Sequence, residues 1–168
     1  MAPACLNYNH EMKIQFGIVL LTIAICLSAS PKALGDSPYF TPAAGSKERV
    51  DLMNTIRPSA VRHFGQPVVF TVNILRVTRE WALIVGGVVQ PNGNDIDYTK
   101  APMYKEDPKS VQGALDAGAL SNGVVALLKM NQGKWQIVTI TFGATDAPWV
   151  TYDQEFGAPS FLIGPRAF

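Results

Sequence analysis

Apolar side chains recur along this chain with two different periods. From Ser46 to Gly65 they return every three or four positions, as in a helix with one buried face. After Gly65, four segments rich in Val, Ile, Phe and Trp alternate apolar and polar positions or form short apolar runs, which is typical of strands. The pattern therefore predicts one long helix followed by strands over residues 67–77, 81–90, 124–130 and 135–142.

The predicted helix has a signal at each end and one interruption. Ser46 suits the N-cap, because its hydroxyl can accept a hydrogen bond from a free backbone N–H, and Gly65 suits the stop. Pro58 breaks the helical pattern, since proline lacks an N–H and crowds the preceding turn. We expect the helix to kink or restart near Arg57.

Turn and loop signals separate the predicted strands. The glycine pair at 86–87 indicates a bulge or a sharp bend in the second strand. Residues 97–110 are polar and are predicted to be irregular, residues 111–120 to form a short helix and residues 149–156 a last helical turn. Alternation in the first strand places one set of residues on a common face, with Arg76 extending it at the rim: Val68, Phe70, Val72 and Ile74.

These elements predict an α+β fold. Strands of period two joined by short turns indicate an antiparallel sheet, and a lone amphipathic helix must bury its apolar stripe against one face of that sheet. We expect an N-terminal helix packed on a curved four-stranded antiparallel sheet. The other side of the sheet is expected to be open.

The N-terminal segment has the pattern of an export signal. Lys13 precedes an apolar run over residues 16–27, and a small-x-small exit ends at Gly35. An apolar run of about a dozen residues suits a translocase but is short for a bilayer span. We predict a signal peptide within residues 1–35 that ends at Gly35, and because residues 1–11 do not resemble a signal we expect translation to start at Met12.

The predicted signal determines the domain organisation and the location. Residues 36–45 are expected to form a flexible leader and residues 46–168 a single α+β domain. The protein is expected to be periplasmic or secreted, with the signal segment as its one contact with a membrane. Two alternatives stay open: an uncleaved signal that anchors the protein in the inner membrane, and lipidation at Cys26.

Cysteine content and charge exclude several classes of protein. Both cysteines, Cys5 and Cys26, precede Gly35, so the predicted mature domain has no disulfide, thiol nucleophile or cysteine-based metal site. Two of the 14 basic residues and one of the 13 acidic residues also precede Gly35, which leaves twelve of each and no basic run. Nucleic-acid binding is therefore not expected.

Short motifs lie at the joints between the predicted elements. They are RP at 57–58, GQPVVF at 65–70, EWA at 80–82 after Val77, and GATD at 143–146 before Trp149. Together they resemble a family of small exported bacterial proteins that has no assigned activity, and the likeness covers residues 46–159. The order of helix and sheet is also similar to cystatin-like and NTF2-like rolls, which serve as inhibitors, binding modules, isomerases and scaffolds.

Asp146 is the carboxylate most suited to chemistry. It follows an apolar strand and precedes Trp149, so in an NTF2-like cone aromatic walls would exclude water and let Asp146 act as a general base. The alternative is a cap, in which Asp146 or Thr145 accepts backbone N–H bonds at the start of the turn at Pro148. The sequence leaves both interpretations open.

Three further residues are candidates for binding. Trp149 and Tyr152 can contribute to an aromatic groove. Arg57 can reach a carboxylate such as Asp146 or Asp51 and so tie the helix to the sheet.

The remaining polar residues do not predict a metal site or a cofactor. His63 is the one histidine after Gly35, and it suits the free carbonyls at a helix C-terminus. Asp95 and Asp97 follow a glycine-containing turn, but their spacing is not that of an EF-hand, and turn chemistry explains them. Neither a zinc-protease motif nor a P-loop motif occurs.

The leading functional hypothesis is an exported, non-enzymatic domain that binds a small ligand, a peptide or another envelope protein through the open side of its sheet. One alternative is an NTF2-like enzyme with Asp146 as its base, and the other is a structural envelope protein. A deep cone lined by Trp149 and Tyr152, with Asp146 inside it, would favour the enzyme. A filled interior would favour binding or a structural role.

Overall fold

The computed structural model of this protein describes residues 38–164. The predicted signal peptide, residues 1–35, lies outside the described residues, as do residues 36–37 and 165–168. Within the described range no helix combines the length and the apolar character needed to cross a membrane. In chain order the elements are α1 (Lys47–Phe64), β1 (Val69–Val77), β2 (Trp81–Val89), α2 (Pro102–Glu106), α3 (Pro108–Asp116), β3 (Gly123–Asn131), β4 (Lys134–Phe142), α4 (Tyr152–Phe156) and α5 (Ser160–Ile163).

The four strands form one open sheet in the order β1-β2-β3-β4, and every neighbouring pair is antiparallel. Short turns join β1 to β2 and β3 to β4, whereas α2 and α3 lie in the longer connection from β2 to β3. The predicted α+β fold, with an N-terminal helix ahead of a four-stranded antiparallel sheet, is confirmed.

The helix α1 is continuous over 18 residues. Ser46 is its N-cap and accepts a 3.3 Å hydrogen bond from the backbone N–H of Arg49, as the sequence predicts. The predicted restart is wrong, because Pro58 stays inside the helix with its side chain exposed. Proline removes a single backbone bond, and Ile56 and Ala60, both fully buried on either side of it, hold the two turns against the core.

One face of the sheet packs against α1. The buried residues of this layer come from the apolar stripe of the helix and from alternate positions of the strands, because successive strand side chains point to opposite faces. They include Leu52, Ile56 and Phe64 from α1 and Leu75, Ile84, Ala126 and Leu128 from the sheet.

The second face of the sheet is covered by the C-terminal segment. Tyr152 of α4 and Leu162 of α5 pack with Leu83 and Leu127 in a separate buried cluster. The guanidinium of Arg76 holds α5 in place by donating a 2.8 Å hydrogen bond to the carbonyl of Leu162. The expectation of an open side is therefore wrong for the central strands, and α5 lies in a tail for which the sequence predicted no helix.

A bulge in β1 changes which face its later residues occupy. Val72 pairs with Gly86, but Ile74 pairs with the neighbouring Val85, so one residue of β1 is extra. Beyond the bulge Leu75 belongs to the core under α1, and Arg76 bonds to α5 on the other side. The predicted common face is therefore wrong for Ile74 and Arg76.

Gly86 makes this bulge possible from the opposite strand. A Cβ atom at Gly86 would lie 1.9 Å from the carbonyl oxygen of Thr71, so only glycine allows the two backbones to approach this closely. The glycine pair at 86–87 does mark a bulge, as predicted. The extra residue, however, lies in β1 rather than in β2.

The segment 97–110, which is predicted to be irregular, contains α2 and the first residues of α3, and the helix predicted over residues 111–120 corresponds to the rest of α3. Both α2 and α3 begin with a proline, at a position where the missing N–H breaks no hydrogen bond. Asp107 caps α3, because its carboxylate accepts a 3.0 Å hydrogen bond from a backbone N–H of the first turn. The helix α3 ends at Asp116, short of the predicted end at Leu120.

Candidate functional site

A cavity of about 500 Å³ lies between the loop that follows β2 and the connection from α3 to β3. This volume is typical of sites that bind small molecules. We call the cavity the Tyr98 pocket, and it is lined by Asp95, Ile96, Tyr98, Leu115, Leu120, Ser121 and Asn122.

Gln66 holds the first wall of the Tyr98 pocket, the loop that follows β2, in place. Its buried carboxamide donates hydrogen bonds to the carbonyls of Phe64 at 3.1 Å and Asp97 at 2.8 Å, and it accepts one from the N–H of Asp97 at 3.4 Å. Gly65 lies so close to the next turn that a Cβ atom there would be 2.1 Å from the carbonyl oxygen of Lys100. These contacts fix the wall against the C-terminal end of α1.

Asp97 is the N-cap of the 3₁₀ turn Tyr98–Lys100 in this wall. Its carboxylate accepts hydrogen bonds from the hydroxyl of Thr99 at 2.6 Å and from the backbone N–H of Thr99 at 3.1 Å, and it pairs with Lys100 at 3.2 Å. The pKa of Asp97 is lowered, chiefly because its carboxylate accepts the hydrogen bond from the Thr99 hydroxyl. The predicted turn chemistry of Asp97 is confirmed. Among residues 38–164 no group of three or more metal-ligating side chains comes together.

The second wall is the connection from α3 to β3, and its polar side chains form hydrogen bonds with backbone atoms. Asn122 donates a 2.8 Å side-chain hydrogen bond to the carbonyl of Val88, and its own carbonyl accepts from the N–H of Val88 at 3.0 Å. The hydroxyl of Ser121 accepts from the N–H of Gly123 at 3.1 Å and donates to the carbonyl of Ala144 at 3.5 Å. This wall is therefore held to the sheet as firmly as the first wall is held to α1.

Tyr98 has a different hydrogen-bonding state from its polar neighbours. Its side chain is 9% exposed, and its hydroxyl is buried without a hydrogen-bond partner. Burial, and secondly the negative charge of Asp95, raise the pKa of Tyr98. An unpaired buried polar group costs about 1–3 kcal/mol. Native proteins keep few such groups, so the unpaired hydroxyl sets Tyr98 apart from the other residues of the lining.

Asp146 does not line the Tyr98 pocket. Asp146 is exposed, in the loop ahead of the 3₁₀ turn Pro148–Thr151. The N-cap of this turn is Ala147, and no side chain caps it, so the cap interpretation is wrong. Its exposure also removes the burial on which the general-base hypothesis depended.

The predicted aromatic residues share a core and do not form a groove. Tyr152 is 3% exposed in the cluster on the second face of the sheet, and Trp149 packs half-buried against the same cluster. Burial raises the pKa of Tyr152, while hydrogen bonds with Thr141 and Thr139 oppose that rise. These two aromatic residues therefore hold the C-terminal segment to the sheet.

Arg57 does tie the helix to the sheet, as predicted, but it does not use a carboxylate. Its Nη1 atom donates a 2.6 Å hydrogen bond to the carbonyl of Val68, and its guanidinium carbon lies 5.3 Å from the ring centroid of Phe70. Its Nε atom donates a 3.4 Å bond to the side chain of Asn54. Arg57 also lines a smaller cavity of about 200 Å³, together with Arg49.

A third cavity, of about 360 Å³, lies beside α1 and the turn between β3 and β4. It is lined by Asp51, Asn54, Thr55, Gly133, Lys134 and Trp135. Its one carboxylate, from Asp51, is paired with Lys47 at 2.6 Å. The linings of the three cavities do not include the predicted site residues Asp146, Trp149 and Tyr152.

His63 packs on aromatic rings at the end of α1. Its ring stacks on Phe142 at a centroid distance of 4.6 Å and meets the edge of Phe64 at 4.7 Å. These contacts take water away from the imidazole, and this desolvation lowers the pKa of His63. Aromatic stacking therefore replaces the predicted interaction with free carbonyls.

The sequence did not single out the residues that form the Tyr98 pocket. By sequence, Tyr98 is only one of several aromatic residues that could line a groove, Gln66 is only part of a short motif, and turn chemistry explains Asp95. The available signal was a tyrosine inside an otherwise polar loop, since a large aromatic ring there needs a core to pack on. Which core it packs on depends on contacts with α1 and α3, which are distant in sequence.

Comparisons of the chain with protein-family models, with curated proteins and with solved structures found no match. The resemblance to exported bacterial proteins and to cystatin-like and NTF2-like rolls stays a prediction. The basis for a function is therefore the chemistry of the Tyr98 pocket, together with the export pattern of the sequence.

Proposed function

We propose that this protein is an exported domain that binds a small ligand in the Tyr98 pocket. The observation that carries the proposal is the Tyr98 hydroxyl, which is buried and unpartnered in a residue that lines a cavity of about 500 Å³. A ligand that accepts this hydrogen bond relieves an unfavourable feature of the unbound protein. Small-ligand pockets commonly combine apolar walls with a few polar groups that fix orientation.

The rigidity of the walls supports the same proposal. Gln66 bonds one wall to the end of α1, and Asn122 bonds the other to the end of β2. A site whose walls are already held needs little further ordering when a ligand binds. The face of the sheet opposite α1 offers no such site over β2 and β3, since the C-terminal segment covers it.

The export part of the proposal rests on the sequence. A periplasmic or secreted location follows from the signal pattern over residues 1–35, with membrane contact only through that segment. Cell fractionation with N-terminal sequencing tests it, and we expect a mature N-terminus at Asp36 outside the cytoplasm. A cytosolic product that keeps Met1 would overturn export.

Binding is tested by NMR with benzyloxyethanol as a neutral probe of the purified protein. We expect the probe to shift the amide signals of residues around Tyr98, Leu115 and Asn122. Leu120→Trp fills the cavity and should abolish these shifts, because Leu120 lines the pocket. Val150→Trp is the matched control, since Val150 is 39% exposed on the C-terminal segment and does not line the pocket.

The binding proposal fails if the shifts scatter over other surfaces or survive in the Leu120→Trp variant. The amide spectrum of each variant also shows whether the fold is kept. If Leu120→Trp does not fold, Leu115→Phe reduces the same cavity from α3, and the same loss of binding is expected.

A further inference from the structure

The walls of the Tyr98 pocket carry one charged group. Asp95 is the acidic member of the lining, and no Lys or Arg contributes to it. Among the described residues the ion pairs are Lys47–Asp51 and Lys100–Asp97, so the carboxylate of Asp95 is left without a cationic partner. A single unpaired negative charge at a pocket attracts cations and repels anions.

One buried hydrogen-bonding group of the lining has no partner. Ser121 and Asn122 bond the backbone of the sheet, whereas the Tyr98 hydroxyl bonds to nothing in the described chain. A phenol has one O–H donor, and this donor needs an acceptor atom. Gln66 holds the backbone at Asp97, the residue before Tyr98, through two hydrogen bonds.

The rest of the lining is apolar. Ile96 is 6% exposed, and Leu115 and Leu120 are half-buried against the same core as Tyr98. These side chains favour a ligand with an apolar body. They also have no polar atoms with which a second strongly polar group of a ligand could pair.

We infer that the Tyr98 pocket takes a small organic cation with an apolar body and one acceptor oxygen, an inference that rests on the proposed function. The cationic group pairs with Asp95, the oxygen accepts a hydrogen bond from Tyr98, and the apolar body packs on Ile96, Leu115 and Leu120. Because the Tyr98 hydroxyl is closed from solvent in the unbound protein, this binding mode requires neighbouring side chains to move aside.

Four matched probes test the charge and the oxygen separately. Benzyloxyethylamine, benzyloxyethanol and benzyloxyacetate share a ring and an ether oxygen and differ in charge, whereas phenylbutylamine replaces the ether oxygen of the first by a methylene. Dissociation constants are measured by NMR on the purified protein at low ionic strength. We expect benzyloxyethylamine to bind at least about threefold more tightly than benzyloxyacetate, and this ratio to shrink in high salt.

Two variants connect these preferences to their residues. In Asp95→Asn the preference for benzyloxyethylamine over benzyloxyacetate should disappear, because the charge is gone. In Tyr98→Phe the ratio of affinities for benzyloxyethylamine and phenylbutylamine should fall by at least about threefold, because the donor is gone. Asp146→Asn is the control and should change neither ratio, since Asp146 is an exposed carboxylate that does not line the pocket.

The possible outcomes separate the two proposals. Equal or tighter binding of benzyloxyacetate, or ratios that stay unchanged in Asp95→Asn and Tyr98→Phe, would overturn the ligand class while benzyloxyethanol binding upholds the pocket. Failure of all four probes to bind the wild-type protein would overturn the pocket itself and the ligand class with it.

Discussion

The two most buried tyrosines among residues 38–164 differ in what surrounds their hydroxyls. The hydroxyl of Tyr152 lies over β4, whose alternating threonines, Thr139 and Thr141, provide hydrogen bonds. The hydroxyl of Tyr98 belongs to a cluster whose other members are mostly aliphatic or phenyl side chains, and it has no partner. The same residue type is therefore a structural anchor at one position and a candidate ligand contact at the other.

Replacing each tyrosine by phenylalanine should separate these two states. Tyr98→Phe keeps the ring and removes an unpaired group, so we expect the free energy of unfolding to stay equal or rise by about 1 kcal/mol. Tyr152→Phe removes a bonded hydroxyl and should lower it by about 1 kcal/mol. Urea unfolding of both variants measures the difference. Equal losses would show that the Tyr98 hydroxyl is bonded in solution.

His63 should give the protein a small pH dependence. Its folded pKa is lowered by desolvation from the ordinary value of 6.5, so the unfolded chain binds the proton first as the pH falls. The contribution of His63 to the free energy of unfolding is therefore fully present above pH 6.5. It is lost as the pH falls from 6.5 through the lower pKa of the folded state. Because His63 is exposed overall, the loss should be only a few tenths of a kcal/mol.

Urea unfolding at about pH 7.5 and about pH 5.5 measures this effect against the variant His63→Gln, which does not titrate there. The wild-type protein should lose more stability than the variant over that interval. An NMR titration of the His63 ring with a midpoint at or above 6.5 would contradict the prediction.

At the scale of elements, proline and glycine decide several boundaries. The chain tolerates Pro58 inside α1, where the packed face outweighs one lost bond, yet it uses Pro102 and Pro108 to begin α2 and α3. Gly86 allows β1 to approach β2 and bulge, which turns Arg76 toward α5. The bulge therefore links the first hairpin to the covering of the second face.

Substitution of alanine at two glycines should have opposite effects. Gly86→Ala places a methyl group against the backbone of Thr71 and should destabilise the protein by roughly 3 kcal/mol, since the strands must separate. Gly113→Ala lies inside α3 with nothing within 4 Å of the new atom, and it should stabilise by about 0.5–1 kcal/mol. Thermal and urea unfolding measure both changes. A neutral Gly86→Ala would show that the close approach is absent in solution.

At the scale of the whole molecule, the sheet is a central layer with a different cover on each face. The helix α1 covers one face, and the segment from Pro148 to Ile163 covers the other. The Tyr98 pocket lies at the edge of the α1 layer, where the connection from β2 to β3 joins the core. A binding site at that connection is compatible with a sheet whose central strands are covered on both faces.

Variants at two neighbouring residues of α5 should show how much the covering of the second face contributes to the free energy of unfolding. Leu162 is 0% exposed, and Leu162→Ala should cost about 2–5 kcal/mol through lost burial and a new cavity. Phe161 is 43% exposed, and Phe161→Ala should change stability by about 0.5 kcal/mol or less. Similar effects of the two variants in urea unfolding would contradict the placement of α5 on the sheet.

The sequence by itself determined the features that depend on neighbours along the chain. The apolar periods predicted α1 and the four strands, Ser46 predicted the N-cap, and the glycine pair at 86–87 predicted a bulge. These features follow from the local preferences of the backbone and from which residues need burial. The short helix predicted over residues 111–120 corresponds to α3, but α2 and the start of α3 at Pro108 were missed, although the prolines that begin both helices and the cap at Asp107 are also local signals.

Only the tertiary structure decided the features that depend on distant segments. These features are the covering of the second face by α5, the bonding of Arg57 to a carbonyl, the exposure of Asp146 and the Tyr98 pocket. Each depends on how separate segments of the chain pack together. Whether a polar group is satisfied is a property of its whole surroundings, because a hydrogen bond needs a partner at the right distance and angle. The sequence specifies which donors and acceptors the chain contains. Folding determines which of them are left unpaired, as the Tyr98 hydroxyl is.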